Sequence, residues 1–404
     1  MTHSARAAME VSRHIPEHSQ HGQPQLVPVC SQGCQGLTVR QRRRRSHAVR
    51  GVLCSVTVQR PALSTGSHLP AASWRTDFSA RYNLGSHIGS GSYGVVHLCI
   101  DKATGHKKAV KIMPKARAKQ APERTQRKLE REVALMTRIS RESRAVAQLV
   151  DVFEDRSYVY IVMDLLEGGD LEQLLEAHGP FSEHAAAITV YECLKIISVC
   201  HANGVLLGDI KPANFMLRKY YKDPIGAIEQ QQLGPSWLKA IDFGCSQSVG
   251  HSRLQRRTGT PVYMSPETFR REYYLEADLW SLGMMLYQLI AARFPFWTSV
   301  AQCRTRSLEE VMKAVIMDNI PLDYGPWLTC SPECTDFLKG LLMRDPAQRM
   351  TATEALEHPW FRRHFASDAG DGSSQNNIVP LVSGAPRCSF YSSCASSVLR
   401  SLPV

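Results

Sequence analysis

The sequence lacks the cysteine arrangement of a metal or disulfide scaffold. Its twelve cysteines are scattered through 404 residues, and Cys99, Cys193, Cys200 and Cys245 lie inside apolar segments. That usage points to a reducing compartment with thiols packed as small hydrophobes. Two pairs have x3 spacing, Cys30/Cys34 and Cys330/Cys334. Neither has the nearby second pair or paired histidines of a zinc site, so no zinc is expected there. Lysine is missing from residues 1–76, which hold ten arginines and only Glu10 and Glu17 as acids, so +8 of the formal +11 sits there. The basic balance belongs to a leader and is no argument for a nucleic-acid-binding domain. Thr2 stands where N-myristoylation needs a glycine, which excludes that anchor. Apolar runs suited to a bilayer are also scarce. The stretch 279–297, "LWSLGMMLYQLIAARFPFW", follows Asp278 directly and contains Arg293 and Pro295. It reads as a buried core helix, and no transmembrane segment is expected.

What is present fits a soluble globular protein of one large or two ordinary domains, with 43% hydrophobic and 21% charged residues. The leader, residues 1–76, is Arg- and Ser-rich and includes "RQRRRRSHAVRGVLCSV". This composition is that of an organellar transit peptide, with a plastid the first destination and a mitochondrion the second. A disordered tail on a cytoplasmic protein and a nuclear signal at Arg42–Arg45 are the alternatives. From Tyr82 the pattern becomes ordered. "YNLGSHIGSGSYGVVHLCID" reads as two strands around a glycine-rich turn, "KKAVKIM" as a third, and "QLVDVF" and "YVYIVMDL" as two more. Residues 122–139 have helical spacing at Leu129, Val133, Met136 and Ile139. A long, mostly helical region follows, with Ser182 a candidate N-cap for a helix whose stripe is Ile188, Tyr191, Leu194 and Ile197. A small strand-rich lobe thus precedes a larger helical lobe, and residues 362–404 read as a disordered tail.

Several motifs carry chemistry. Gly89, Gly91 and Gly94 form G-x-G-x-x-G-x-V, and glycines let backbone N–H groups close over phosphate oxygens. Dinucleotide-binding folds place this pattern between a strand and a helix. Here "VVHLCI" reads as a strand, which favours a hairpin lid over ATP. Lys111 ends "AVK" on the third strand, where an ammonium can neutralise phosphates. Glu132 on the following helix is the candidate to hold it, a solvated helix charge being the alternative. Asp209, Lys211 and Asn214 form D-x-K-x-x-N between two apolar stretches.

Residues 82–361 resemble a eukaryotic protein kinase domain. The resemblance rests on Gly89/Gly91/Gly94, Lys111, Glu132, Asp209-x-Lys211-x-x-Asn214, Asp242-Phe243-Gly244, Ser265-Pro266-Glu267, Asp278-x-Trp280 and Arg349, in order and spacing. "EGGDLEQLL", "LKAIDFG" and "RDPAQRMTATEALEHPWF" resemble the calcium/calmodulin-dependent and plant-type calcium-dependent group within that family. The resemblance implies an α+β, two-lobed protein kinase fold, with a β-rich N-lobe over 82–163 and a helical C-lobe over 167–361. It implies a serine/threonine kinase using ATP and Mg²⁺, a monomer acting on protein substrates. Asp209 would orient the substrate hydroxyl and Lys211 would stabilise charge on the moving phosphoryl group. Asn214 and Asp242 would hold Mg²⁺. The adenine would rest on a hinge at Asp164–Leu166 with Met163 behind it, under a roof of Ile88, Val96 and Ala109. Asp170 would meet the ribose or a substrate arginine. Glu267 would pair with Arg349, Asp278 would brace the catalytic loop, and Thr260 would contact Asp209.

The sequence departs from the family in three places. Leu207 and Gly208 stand where His and Arg usually precede the catalytic Asp. That motivates a rival reading as a pseudokinase, a nucleotide-binding scaffold, although the phosphoryl-transfer residues are all present. The segment between Asn214 and Asp242 is longer than usual, and Pro224, Gly226, Gly234 and Pro235 mark 218–236 as a surface loop between two short strands. Finally, "DAGDGSSQNNIV" lacks the spacing and closing Glu of an EF-hand, so the chain is not expected to sense calcium by itself.

Overall fold

The computed structural model describes residues 74–91, 94–115 and 122–365. The expectations for the leader up to residue 73, and for the tail after Phe365, lie outside the described residues. In chain order the elements are α1 (Phe78–Arg81), β1 (Tyr82–Gly91), β2 (Gly94–Asp101), β3 (Lys107–Pro114), α2 (Pro122–Glu142), β4 (Leu149–Glu154), β5 (Tyr158–Met163), α3 (Leu171–His178), α4 (Glu183–Ala202), β6 (Val205–Leu206), β7 (Phe215–Leu217), α5 (Pro224–Glu229), β8 (Leu238–Ala240), β9 (Gln247–Ser248), α6 (Pro266–Arg270), α7 (Glu276–Ala291), α8 (Val300–Arg304), α9 (Leu308–Met317), α10 (Pro332–Leu341), α11 (Ala352–Leu356) and α12 (Pro359–Phe365). Three short 3-10 turns, at 212–214, 261–263 and 325–328, complete them. The fold is the expected α+β, two-lobed one.

The small lobe is one antiparallel sheet in the order β1-β2-β3-β5-β4. Its register sets Lys111 opposite Val96 on one side and Ile161 on the other, so the lysine stands on the central strand. The spacing that predicts a helix over 122–139 produces α2, three residues longer at its C-terminus. Leu129, Val133, Met136 and Ile139 form its buried stripe. The packed chain starts ahead of Tyr82. The Trp74 N–H donates to Glu154 Oε1 (2.9 Å), Glu154 N–H donates to Arg75 O (2.7 Å), and the Arg75 guanidinium lies over the Phe153 ring at 4.8 Å.

The large lobe is organised by α4 and α7. Ser182 caps α4, its Oγ accepting from Ala185 N–H. The α4 helix is long and apolar enough to cross a membrane, but most of it is buried inside the lobe. The α7 helix is apolar all round, with every residue from Ala277 to Ile290 buried, as suits a central core helix rather than a membrane span. Two small ladders, β6 with β9 and β7 with β8, carry the D-x-K-x-x-N segment and Asp242-Phe243-Gly244 between their strands.

The segment 218–236 corrects an expectation. The two flanking strands are present as β7 and β8, but the segment between them is not a surface loop. Asp223 caps α5 by accepting from Gly226 N–H at 2.9 Å, with Pro224 in the first turn. Ile228 and Leu233 are buried in the main core, with Trp237 just beyond. Glu229 Oε1 accepts from Ser182 Oγ at 2.6 Å, tying α5 to the start of α4. The Pro and Gly residues punctuate this segment correctly, but a single helical turn is too short to show a period. Ile228→Ala should therefore destabilise the protein by about 2–5 kcal/mol in denaturant unfolding, as core truncations do. A change below about 0.5 kcal/mol, typical of surface sites, would show that the segment is loosely held.

Candidate active site

The glycine-rich turn is the tip of the β1–β2 hairpin, with Gly91 paired to Gly94. A Cβ on Gly94 would lie 2.4 Å from the Ile112 carbonyl oxygen, so β2 can lie this close to β3 only with glycine there. Gly89 and Gly91 meet nothing within the protein that would demand their small size. Ile88 is exposed beside them, while Ala109 and Met163 are buried and paired across β3 and β5.

Beneath this roof, Lys111 Nζ donates to Glu132 Oε1 (2.7 Å) and to Asp242 Oδ1 (3.0 Å). Both Lys111 and Glu132 are buried, so Glu132 is a structural partner and not a solvated helix charge. Burial lowers the Lys111 pKa, and Asp242 and Glu132 more than reverse that, leaving it raised. Burial likewise pushes Asp242 up. The Lys111 ammonium and the Gly244 N–H outweigh it and hold the carboxyl below its ordinary range. The sheet, α2 and the large lobe meet at this one ammonium.

The catalytic loop between β6 and β7 is shaped by Asp278, which is buried on α7. Its Oδ2 accepts from Leu207 N–H (2.8 Å) and faces His201 Nε2 (2.9 Å), while Oδ1 accepts from Gly208 N–H (2.8 Å). Asp209 is then fixed from three sides. Thr260 N–H donates to Oδ1 (2.8 Å), and Lys211 Nζ (3.0 Å) and Asn214 Nδ2 (3.2 Å) approach Oδ2. Lys211 also donates to Thr260 Oγ1 at 2.9 Å. The Asn214 amide nitrogen is further engaged by the Asp209 carbonyl at 2.7 Å, which leaves its Oδ1 as the free ligand atom. Asp242 Oδ1 takes Lys111 and Gly244 N–H, leaving Oδ2. Two hard oxygen donors on facing segments suit Mg²⁺, which takes one or two protein oxygens and leaves its other positions to phosphate and water.

The hinge residues are in place but not all in the expected manner. The Asp164 carboxylate lies 3.2 Å from Lys108 Nζ and 3.9 Å from the buried Lys239, so its part in a hinge is a main-chain one. Leu165 and Leu166 follow it and pack on the core. Asp170 Oδ1 caps α3 through Gln173 N–H (2.9 Å), which leaves Oδ2 for a ligand.

Sequence reasoning missed the residues that tether the segment from Asp242 to Glu267. Leu254 and Tyr273 exchange backbone hydrogen bonds of 2.8 and 3.3 Å. The Tyr273 hydroxyl accepts from Gln247 Nε2 (2.8 Å) and donates to the Arg256 carbonyl. Thr258 Oγ1 donates to Cys245 O at 3.3 Å. Gln247 and Tyr273 are 26 residues apart, and no spacing rule links an amide to a distant phenol. Leu207 is buried in the cluster that holds Phe243 and Met136, and its carbonyl accepts from Ser246 Oγ (3.0 Å). Farther down, Arg349 pairs with Glu267 through contacts of 2.5 and 3.1 Å, as expected.

Comparison with known proteins agrees with this geometry. The protein kinase domain family matches residues 82–361. Calcium-dependent protein kinase 17 of Arabidopsis thaliana is 35% identical over 287 residues, 71% of this chain and 50% of the relative. Calcium-dependent protein kinase 20 of Oryza sativa subsp. japonica is also 35% identical over 287 residues, 71% of this chain and 48% of the relative. Calcium-dependent protein kinase 22 of the same rice is 34% identical over 333 residues, 81% of this chain and 54% of the relative. The chain spans about half the length of the curated relatives it matches.

Gly208 has φ +76°, and a Cβ there would lie 2.9 Å from the Cys245 carbonyl oxygen. Gly208→Ala should therefore cost about 1–2 kcal/mol of stability, and it should reduce turnover by displacing Asp209. Unchanged stability and turnover would show that the loop accommodates a side chain freely.

Proposed function

The chain belongs to the protein kinase family, and from that premise we propose that it is an active serine/threonine protein kinase. It transfers the γ-phosphate of ATP to a protein hydroxyl. The observation that carries this reading is the simultaneous assembly of Lys111–Glu132–Asp242 and of Asp209–Lys211–Asn214–Thr260. Asp209 accepts three hydrogen bonds from protein donors, and a carboxylate has about four acceptor positions. The fourth takes the substrate hydroxyl and points its oxygen at the phosphorus. Lys211 uses two of its three N–H donors on Asp209 and Thr260, which leaves one for an oxygen of the moving phosphoryl group. Lys111, fixed from both sides, meets the phosphates of the bound nucleotide. Mg²⁺, when bound at Asn214 and Asp242, neutralises the charge on the phosphate oxygens. The protein's contribution is positioning and preset charge.

The substrate is a protein Ser or Thr, since Lys211 and Thr260 form the arrangement expected of that class. A strong preference for basic sequences is not expected. Ala213 and Gln288 stand where kinases that favour them often have Glu, and the Gln288 side-chain oxygen already accepts from Tyr263 OH at 2.5 Å.

The enzyme works without phosphorylation of its activation segment. Gly208 has no guanidinium with which to read a phosphate. The small cavity at Thr258 is lined by Leu206, Met264, Tyr273 and Asp278, with no lysine or arginine among its described lining residues. A phosphate there would face the Asp278 carboxylate. The neutral bonds of Tyr273 supply the order that a charge-assisted pair supplies elsewhere. The leader is proposed to direct import into a plastid, on its Arg- and Ser-rich, acid-poor composition. A fluorescent fusion of residues 1–80 that stays diffuse in the cytosol would count against this.

Purified full-length protein with Mg²⁺, labelled ATP and myelin basic protein tests the reaction. Asp209→Asn should abolish transfer and leave ATP binding nearly intact, whereas Asp242→Asn should weaken Mg·ATP binding itself. ATP binding by the wild type without any transfer would favour the scaffold reading. Phosphatase treatment and Thr258→Ala should each change turnover less than about twofold. A tenfold drop, about 1.4 kcal/mol of barrier, would defeat phosphate independence. Tyr273→Phe removes the one hydroxyl that joins Gln247 to Arg256. It should raise KM for the protein substrate several-fold with little change in KM for ATP. Equal effects on both would point to a general loss of fold.

A further inference from the structure

One pair of thiols stands apart from the others. Among the described residues Cys99, Cys193, Cys200, Cys245, Cys303 and Cys334 are buried, and Cys330 is half-buried. Cys330 and Cys334, one of the two pairs with x3 spacing, come together at the start of α10. Their sulfur atoms lie within 4.8 Å of each other. Ser331 between them caps the helix, its Oγ accepting from Cys334 N–H at 3.2 Å. Cys330 stands directly before that cap, and its own N–H donates to the Pro326 carbonyl at 3.1 Å. Ser331 in turn donates to Glu183 of α4 through its N–H (2.8 Å) and its Oγ (2.5 Å). The turn that brings the two thiols together is therefore anchored on both sides.

The two thiols are unequal. Cys330 reaches solvent and Cys334 does not. A hydrogen bond from the Cys334 thiol holds Cys330 below the ordinary thiol range, against burial and the Glu183 carboxylate, which push it up. The same hydrogen bond, with burial, pushes Cys334 up. The position of Cys330 just ahead of the first turn of α10 also favours its anion. A thiolate is the form that attacks a peroxide, and a second thiol close by turns the product into a disulfide before it oxidises further. Burial pushes the Cys99, Cys193 and Cys200 thiols up, and none of these has that combination of exposure and neighbour.

We propose that Cys330 and Cys334 are an oxidation site, in which Cys330 attacks hydrogen peroxide and Cys334 resolves the product into a reversible disulfide across the start of α10. In the first step the Cys330 sulfur takes one oxygen as the O–O bond breaks. The other oxygen leaves as hydroxide and recovers the proton that Cys330 gave up, forming water. In the second step the Cys334 sulfur attacks the Cys330 sulfur, the S–S bond forms and the S–O bond breaks. The departing hydroxide takes the Cys334 proton and forms the second water. The two thiols lose two electrons and the peroxide gains them. In a reducing compartment the pair rests as thiols, and a dithiol reductant restores it after oxidation. The bond ties the residue ahead of the cap to the first turn of α10, at the point where Ser331 meets Glu183.

The test uses full-length protein, fully reduced, freed of reductant and given a small molar excess of hydrogen peroxide. Samples quenched in acid, alkylated and digested should yield a peptide in which Cys330 and Cys334 are joined, lighter by two hydrogens than its reduced form. It should form at least about tenfold faster than Cys99, Cys193 or Cys200 is lost, because buried apolar thiols are inert. Dithiothreitol should return both cysteines to thiols. Two variants assign the roles. In Cys334→Ala, dimedone should trap a sulfenic acid on Cys330. In Cys330→Ala, Cys334 should remain a thiol at the same dose. If melting curves show that Cys334→Ala has lost its fold, Cys330→Ala and the wild-type peptide map decide. Recovery of both cysteines as thiols after the buried ones have reacted would overturn the proposal. So would Cys330 found only as sulfinic or sulfonic acid with no disulfide, or Cys334 oxidised in Cys330→Ala as fast as in the wild type.

Discussion

A single buried carboxylate sets the geometry on which the active site depends. Asp278 accepts from the backbone of Leu207 and Gly208 and faces His201, so the start of the loop that carries Asp209 is fixed by hydrogen bonds to its main chain. This explains how the loop keeps its course with Leu207 and Gly208 in place of a histidine and an arginine, although the left-handed backbone at 208 favours glycine. Asp278 itself is held by α7, the most completely buried helix of the large lobe. A polar side chain in that setting is tolerated only because each of its oxygens has a donor. The core that surrounds Trp280 and Tyr287 is therefore also the platform of the catalytic loop.

From that platform the chemistry is assembled by a few shared groups. Thr260 meets both Asp209 and Lys211, and Lys111 meets both Glu132 and Asp242. Each junction joins segments far apart in the chain, so displacement of α2 or of the activation segment would disturb several catalytic contacts together. In the activation segment, the tether at Tyr273 is neutral, with the exposed Arg253–Glu272 ion pair beside it. Tyr273 joins Gln247 and Arg256 and pairs with Leu254 through backbone. A neutral hydrogen-bond network is weaker per contact than an ion pair with phosphate, but it is present as soon as the chain folds.

The far end of the large lobe follows a similar logic. The segment 218–236 adds a capped turn of helix whose Ile228 enters the core and whose Glu229 meets Ser182 and His184. The adjoining Glu183 gathers the cap of α10 and the indole of Trp360. The start of α4 is thus a junction for the inserted segment, α10 and α12.

The sequence by itself determined the two lobes, the strands along the chain and the motif residues proposed for phosphoryl transfer. Those features depend on local signals. The stripe Leu129, Val133, Met136 and Ile139 specifies a helix face, Ser182 specifies a helix start, and Asp209-x-Lys211-x-x-Asn214 compresses three roles into six residues. Glu132 was legible as a candidate, but its pairing needed the packing of α2 on the sheet to exclude water from it. Only the tertiary structure decided the rest. Tyr273 with Gln247, Asp164 with Lys108 and Lys239, Ile228 in the core, and His364 beside Glu183 are all contacts between distant segments. Side chains such as these show no period and no fixed spacing. Their partners are set by where helices and strands come to rest, which is fixed by burial of the whole apolar surface and not by any neighbouring residue.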